Sequence, residues 1–550
     1  MRAVLFVLFL SMSLRLFSIS PFQYLVSFRD KQGSPYSLER PEEFLSERSV
    51  LRREKQKIPF SEEDLPINQT YLSQILKFDS VRLRAKSKWF NDVVIEVYDT
   101  SVIQKMRDLN FVKKVEMLPS SIHKSDADNY DKWNLELTGL SEQTADHYGR
   151  AYHQIHMLGG DYLHDVGYTG RGMLIAVIDA GFTGVPKHEM LKKTLAENRI
   201  VANRDFVDKK NNIYSHSGHG TYVLTLMAAN EPGVMVGTAP DASFLLLRSE
   251  DGAYEYLLEE YFWVEAAEFA DSAGADVVNT SLGYTEFDDT LQNHTISDLD
   301  GLTTRISRGS NIACKKGMLL FNSAGNSGTS AWQKISAPAD GLNLIAVGAV
   351  DSLRVIADFS SRGPTADGRI KPDLCAEGKM VVIGNVDGTV SASNGTSFSS
   401  PILAGVGACL WQNNAHRSWE EVKAALMSSA DRVHNPDTNY GYGIPNVIIA
   451  DAILKGKAIR SSDESPWLSL GPNPFDDRLI CTYNSEASSM AEVKFRDING
   501  RLVRSSLHRL EKGNVSYLLL DGNDIPGNSG MYILELTING KSTTIKVIRR

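Results

Sequence analysis

Residues 172–179 read GMLIAVID, an apolar run that closes on a carboxylate, Asp179. A strand wetted on one face alternates apolar and polar residues, and this one does not. Such a run suits a parallel strand buried on both faces. Four more stretches share the pattern: SFLLLR (243–248), DVVNTSLG (276–283), GMLLFNSAGN (317–326) and LIAVGAVD (344–351). Helix-like segments lie between them, among them YLLEEYFWVEAAEFADSAGA (256–275). Alternation of this kind predicts an open α/β sheet with helices on both faces. Ligands of such sheets bind beyond the carboxyl ends of the strands. That rule brings Asp179, Gly283 and Asn326 to one rim.

The rest of the chain must belong to other units, because 550 residues exceed what one core organises. Residues 21–119 hold strand-like stretches, YLVSF, VVIEVYD and VKKVEML, with charged helix-like stretches between them, which predicts a small α+β domain. Residues 120–149 are polar and read as an exposed linker. The α/β unit spans 150–457. From 465 to 550 short alternating strands with Asn-Gly turns predict an all-β sandwich.

Composition narrows the function. With 42% hydrophobic and 23% charged residues the chain is ordinary globular protein, and a net charge of −9 argues against a nucleic-acid partner. Residues 1–20 combine Arg2, the apolar run Ala3–Leu10 and small residues at Ser18 and Ser20, a secretory signal pattern. No later segment reaches transmembrane length, so an exported chain is expected. The four cysteines, Cys314, Cys375, Cys409 and Cys481, form no CxxC pair, which removes a zinc or redox motif.

The chemistry starts from SNGTSFSSPILAG (393–405). Four serines precede Pro401 and an apolar run, which taken alone is a capped helix start with proline in its first turn. Other stretches change the reading. AVIDAGF ends in a carboxylate at the rim, which must be hydrogen-bonded or functional. In HSGHGTYVLTLMAA, His219 stands where a helix begins. SAGN brings Asn326 to the end of a strand. Aspartate, histidine and serine are the parts of acyl transfer: the acid orients the imidazole, the imidazole takes the serine proton, and the serine attacks a carbonyl. An asparagine donor stabilises the oxyanion, an effect of about 10²–10³ in turnover.

Taken together, AVIDAGF, GHGTYV, NTSLG, SAGN, FSSRGPTADGRIKPD and NGTSFSSP resemble the subtilisin family (subtilases) of serine peptidases over about 300 residues. The resemblance implies that Asp179 is the orienting carboxylate, His219 the general base and acid, and Ser397 the nucleophile, in the family's chain order. It implies that Asn326 is the oxyanion donor. Ser281, Leu282 and Gly283 match one wall of the substrate cleft, Ala324 and Gly325 the opposite wall. Ser393, Ser399 and Ser400 are read as loop and helix-start residues, and His216 as a loop histidine. Two positions depart from the pattern. Ala180 stands where the family often has Thr or Ser, and Cys375–Gly378 (CAEG) where it commonly reads Ala-Pro-Gly.

The flanks carry resemblances of their own. Residues 21–119 are similar to propeptides of secreted subtilases of the Bacteroidetes type, which implies an inhibitor removed by a cut in the linker. GPNPF, DINGRLV, GMYILEL and KVIRR resemble the C-terminal sorting domain of type IX secretion substrates. The expectation is a secreted or surface serine endopeptidase, exported through the periplasm by the Sec and type IX machineries and acting on protein substrates. The competing expectation is an inert surface binding protein on the same fold. An esterase would show G-x-S-x-G with its acid and histidine after the serine, unlike this order. No cofactor is required. Structural calcium is an implication of the resemblance, and the acidic residues Asp288, Asp289, Asp298 and Asp300 gather in one loop region without EF-hand spacing. The matched cleft segments carry no acidic residue at the pocket base, so a strict preference for Lys or Arg is not indicated.

Overall fold

A computed structural model describes residues 21–119, 132, 135–139, 146–209, 212–456 and most of 467–549. The signal-like residues 1–20 and most of the linker lie outside the described residues.

The N-terminal unit pairs β1 (Phe22–Phe28), β2 (Val81–Ser87), β3 (Asp92–Val97) and β4 (Val112–Leu118) in the order β2-β3-β1-β4. Helices α1 (Glu47–Gln56), α2 (Gln69–Leu76) and α3 (Val102–Arg107) join these strands. Strand β2 and helix α2 were not anticipated, because β2 reads VRLRAKS, in which charge masks the apolar side. Val26, Ile75, Val93, Ile95 and Met106 close a small separate core. After it β5 (Thr138–Gly139) is a two-residue strand.

The central sheet has seven parallel strands. They are β6 (Leu174–Asp179), β7 (Ile200–Asp205), β8 (Ser243–Arg248), β9 (Val277–Thr280), β10 (Leu319–Ser323), β11 (Ile345–Val350) and β12 (Leu374–Glu377). Their order is β12-β11-β10-β9-β6-β8-β7. Strands β6 and β9 to β12 are buried along their whole length, as unalternating apolar runs require. Edge strand β7 (IVANRD) escaped the sequence reading because its outer half is polar. In register, Asp179 lies beside Arg248, and Ile178 beside Thr280, so β6, β8 and β9 end at one rim.

Three helices matter for the site: α4 (His219–Ala228), α5 (Leu258–Ala273) and α6 (Thr396–Asn413). A hairpin of β13 (Val381–Gly384) and β14 (Val390–Ser393) runs directly into α6, and β14 also pairs with β5. The C-terminal unit is all β. It consists of a three-stranded sheet (467–471, 478–484, 515–521) and a four-stranded sheet (489–497, 502–510, 530–538, 541–549), with Phe475, Phe495 and Leu534 in its core. No helix among the described residues is long and apolar enough to cross a membrane. All four cysteines are buried thiols.

Candidate active site

Asp179 is the last residue of β6 and is fully buried. Its Oδ1 accepts from the Ala180 N–H at 2.8 Å and meets His219 Nδ1 at 2.7 Å. His219 is the first residue of α4 and is 1% exposed. The next residue has to be glycine. A Cβ on Gly220 would stand 2.5 Å from the Gly181 carbonyl, which the Gly220 N–H bonds at 3.0 Å. This contact seats the imidazole-bearing helix against the loop that follows Asp179. Asp179 Oδ2 is buried with no hydrogen-bond partner. The neighbouring residue, Ala180, has no side-chain donor to offer it, where a Thr or Ser would carry a hydroxyl.

Ser397 is the second residue of α6, which starts at Thr396. Pro401 therefore sits inside the helix rather than in its first turn, a correction to the sequence reading. A proline at 401 has no N–H to give the carbonyl four residues back, that of Ser397. The Ser281 hydroxyl donates to that carbonyl instead, at 2.8 Å, and the Ser397 hydroxyl donates to the Ser281 carbonyl at 3.3 Å. Behind them Asn279 Nδ2 donates to Ser281 Oγ at 3.2 Å, and Ser400 Oγ to Asn279 Oδ1 at 2.8 Å. The Ser400–Asn279–Ser281 chain ties the serine-bearing helix to the end of β9. Asn279 and Ser400 were missed as positioning residues. Their only sequence signal was polarity inside two apolar runs.

Asn326 follows β10 and is exposed. Its Oδ1 accepts from the Thr396 N–H and hydroxyl, both at 2.9 Å. With the oxygen engaged, the amide nitrogen is the end left to face the cleft, and a Cβ on Gly395 would be 3.7 Å from it. Leu282, Ser281 and Ala324 are buried and Gly283 is exposed. A Cβ on Gly283 would meet Ser336 Oγ at 2.0 Å, so that wall packs only with glycine. The His219 and Phe398 rings are 6.4 Å apart, which brings the start of α6 to the histidine. His216 instead faces Asp205 and Asp208, at 3.9 and 3.8 Å.

Three family models match the chain. The subtilase family (peptidase S8) matches residues 170–443, the Bacteroidota S8 propeptide domain 23–132, and the secretion system C-terminal sorting domain 469–550. Subtilisin DY of Bacillus licheniformis is 30% identical over 300 residues, 53% of this chain and 96% of its own.

The chain belongs to the subtilase family.

Serine protease AprX of Bacillus subtilis is 30% identical over 309 residues, half of this chain and 66% of AprX. The thermophilic serine proteinase of Bacillus sp. strain AK1 is 30% identical over 285 residues, 52% of this chain and 62% of its own. This subtilase thus spans a little under two thirds of those two relatives. Its sorting domain marks it for secretion or the cell surface.

The propeptide domain packs on α5. Glu268 accepts from Ser87 Oγ and from the Lys88 and Trp89 N–H groups. Asp271 binds Arg53 through both oxygens, at 2.9 and 2.8 Å, and Arg52 at 2.5 Å. Burial opposes the ionised form of Asp271, but Arg53, Lys88 and Arg52 outweigh it and hold the carboxyl below its usual range. Burial pushes Glu268 up to about 7.

The linker was expected to be exposed, and at Lys132 it is not. That side chain is 12% exposed and lies among Glu250, Glu255 and Glu259. Burial works against the ammonium, yet the three carboxylates raise its pKa. Burial also raises all three glutamates, since one cation cannot offset three charges.

The family resemblance implies structural calcium, and the acidic residues of the chain have partners of their own. Asp288, Asp289, Asp298 and Asp300 are spent on backbone N–H groups of Glu255, Leu291, Thr295, Leu302 and Thr303. Among the described residues two clusters bring three ligand atoms within 4.8 Å of one another, Asp205–Asp208–His216 and Glu250–Glu255–Glu259. Each already meets a cation of the protein. Arg248 binds Asp205 and Asp208 at 3.0 and 2.9 Å, and Lys132 binds the glutamates.

Proposed function

We propose that the chain is a secreted serine endopeptidase, made as a precursor that its own N-terminal domain inhibits. The observation that carries this reading is the buried Asp179–His219 hydrogen bond, set beside a serine whose own backbone is tied into the cleft wall. With Nδ1 held by Asp179, Nε2 is the basic nitrogen. It takes the Ser397 proton as Oγ attacks the substrate carbonyl, and returns the proton to the leaving amine. The Asn326 amide and the backbone N–H at the start of α6 hold the oxyanion, assisted by the helix dipole. Water then releases the acyl-enzyme. This chemistry needs no cofactor.

The division of labour follows: signal 1–20, inhibitory propeptide 21–119, linker 120–149, peptidase 150–457 and sorting domain 465–550. Sec export to the periplasm and type IX passage across the outer membrane complete the route.

Mass spectrometry of the processed chain after a fluorophosphonate probe tests the reading. A single adduct on the Ser397 peptide, lost in Ser397→Ala, is expected. A processed, folded chain that takes no adduct is the inert binding protein instead. Asn326→Ala should lower turnover by about 10²–10³ and leave labelling detectable.

A further inference from the structure

Lys132 is read twice by the peptidase domain. Its ammonium lies 2.7 Å from Glu250, 2.9 Å from Glu255 and 3.2 Å from Glu259, and 3.1 Å from the Tyr254 carbonyl. Its main-chain N–H donates to the Gly252 carbonyl at 2.8 Å. Gly252 and Glu250 belong to the loop that leaves β8 at the carboxyl rim, beside Asp179. Four residues further along, the Glu136 carbonyl accepts from Ser393 Oγ at 3.0 Å. Thr138 and Gly139 then pair with Ala392 and Ser391, on the strand that leads into the Ser397 helix.

The linker's main chain is thus held at two places, by the loop after β8 and by the strand that leads into the Ser397 helix. Two of its described side chains are engaged as well, Lys132 among the glutamates and the half-buried Leu135 against the main hydrophobic core. Glu250 and Glu259 are 1% and 0% exposed. Carboxylates that deeply buried either take up a proton or pair with a cation, and here a cation is supplied. Glu250 Oε1 is buried with no hydrogen-bond partner, so the cluster can take more N–H donors than it has. An ammonium offers three and a guanidinium five.

We propose that Glu250, Glu255 and Glu259 form a substrate subsite for a lysine or arginine side chain on the acyl side of the scissile bond, and that Lys132 fills it in the precursor. The site is distinct from the cleft walls at 281–283 and 324–325. A substrate threaded as the linker is would place its basic residue upstream of the bond cut. The linker itself is then cut between Lys132 and Glu136. Ser397 Oγ bonds to the carbonyl carbon there as its C–N bond breaks, the serine proton passes through His219 to the leaving amine, and water frees the new carboxylate. Once the N-terminal piece leaves, the cluster is without its cation and open to a basic side chain of a substrate.

The inference rests on the endopeptidase reading, and one experiment separates the two. Processed enzyme, titrated with a fluorophosphonate, is given the synthetic peptide of residues 129–138 with Lys, Arg or norleucine at position 132. Replacing Lys by norleucine should lower kcat/KM by at least about thirtyfold, the low end for losing one partner of a buried ion pair, while Arg is cut well. Products should show a cut between Lys132 and Glu136. In Glu255→Gln enzyme the Lys-over-norleucine ratio should fall. Full labelling with equal rates on the three peptides, or with cuts outside that segment, overturns the subsite alone. No labelling overturns the endopeptidase reading, and the subsite with it.

Discussion

Among the ionic contacts between the N-terminal segment and the peptidase domain, which include Arg305–Asp92 and Lys316–Asp64, two have opposite arithmetic. On α5 a single carboxylate, Asp271, receives Arg52 and Arg53 directly, with Lys88 at 3.6 Å. At the rim three carboxylates receive one ammonium. The first contact has cations in excess, supplied by a helix and a hairpin of a folded domain. The second is short of cations, and its one cation comes from a linker. A contact saturated by a folded partner is a docking face. A contact short of charge and filled from a linker is a place where partners are exchanged. The difference suits a precursor in which the inhibitor must bind firmly while the segment joining it to the enzyme must be cut.

Removing the nucleophile should break the two contacts apart most clearly. Ser397→Ala is expected to lower turnover by about 10⁶-fold, the scale seen when one member of a triad acting as a unit is lost. The α5 face does not depend on the chemistry, so the precursor should accumulate uncut and folded. Intact mass and a thermal melt check both halves of this statement.

Next in size is the docking face. Arg53 is fully buried and bridges Asp64 of its own domain to Asp271 of the peptidase. Arg53→Met leaves both carboxylates buried without that partner, a change of about 3–5 kcal/mol for a broken buried pair. Soluble precursor should fall sharply, measured against the Ser397→Ala precursor, which leaves the α5 face intact.

The same face predicts a pH response. Glu268, raised to about 7 by burial under the propeptide, binds a proton more tightly docked than it would in water. Its contribution to docking is full below the ordinary carboxylate range and is lost as pH rises through about 7. Asp271 runs the other way: held low by its cations, it supports docking above the ordinary range and fails only in stronger acid. Inhibition of the processed enzyme by its propeptide should therefore weaken several-fold from about pH 6 to about pH 8. In Glu268→Gln that slope should flatten.

Much of this was legible in the sequence, for a physical reason. Buried parallel strands are unalternating apolar runs, so the polar residues that end them stand out. Asp179, Asn326 and the serine-rich start of α6 were visible in that way. Lys132 was not. Its partners lie at 250–259, and a lone lysine in a polar stretch looks like any solvated linker residue. Pro401 was seen but misplaced. Its role emerges only when the helix start is known, because the carbonyl it leaves without a helical donor belongs to Ser397 and is met by Ser281 from another strand. Edge strand β7 was hidden by its polar outer half, and β2 by its charges. For Lys132 and Pro401 the deciding contact was remote in sequence.

The smallest expected effect concerns the departure at position 180. Asp179 spends one oxygen on both its bonds, to Ala180 N–H and His219, and leaves the other buried and without a donor. A buried acceptor without a partner costs about 1–3 kcal/mol. Ala180 is fully buried and follows Asp179 directly, and Ala180→Ser brings one hydroxyl to that neighbourhood. Stability of the processed enzyme should rise by about 1 kcal/mol, read as a higher melting temperature. The Lys132 cluster offers the control, because its glutamates share no atom with this contact and the preference for a basic residue should not move. If the melt does not shift, an ordered water already serves that oxygen, and the alanine removes nothing the site lacks.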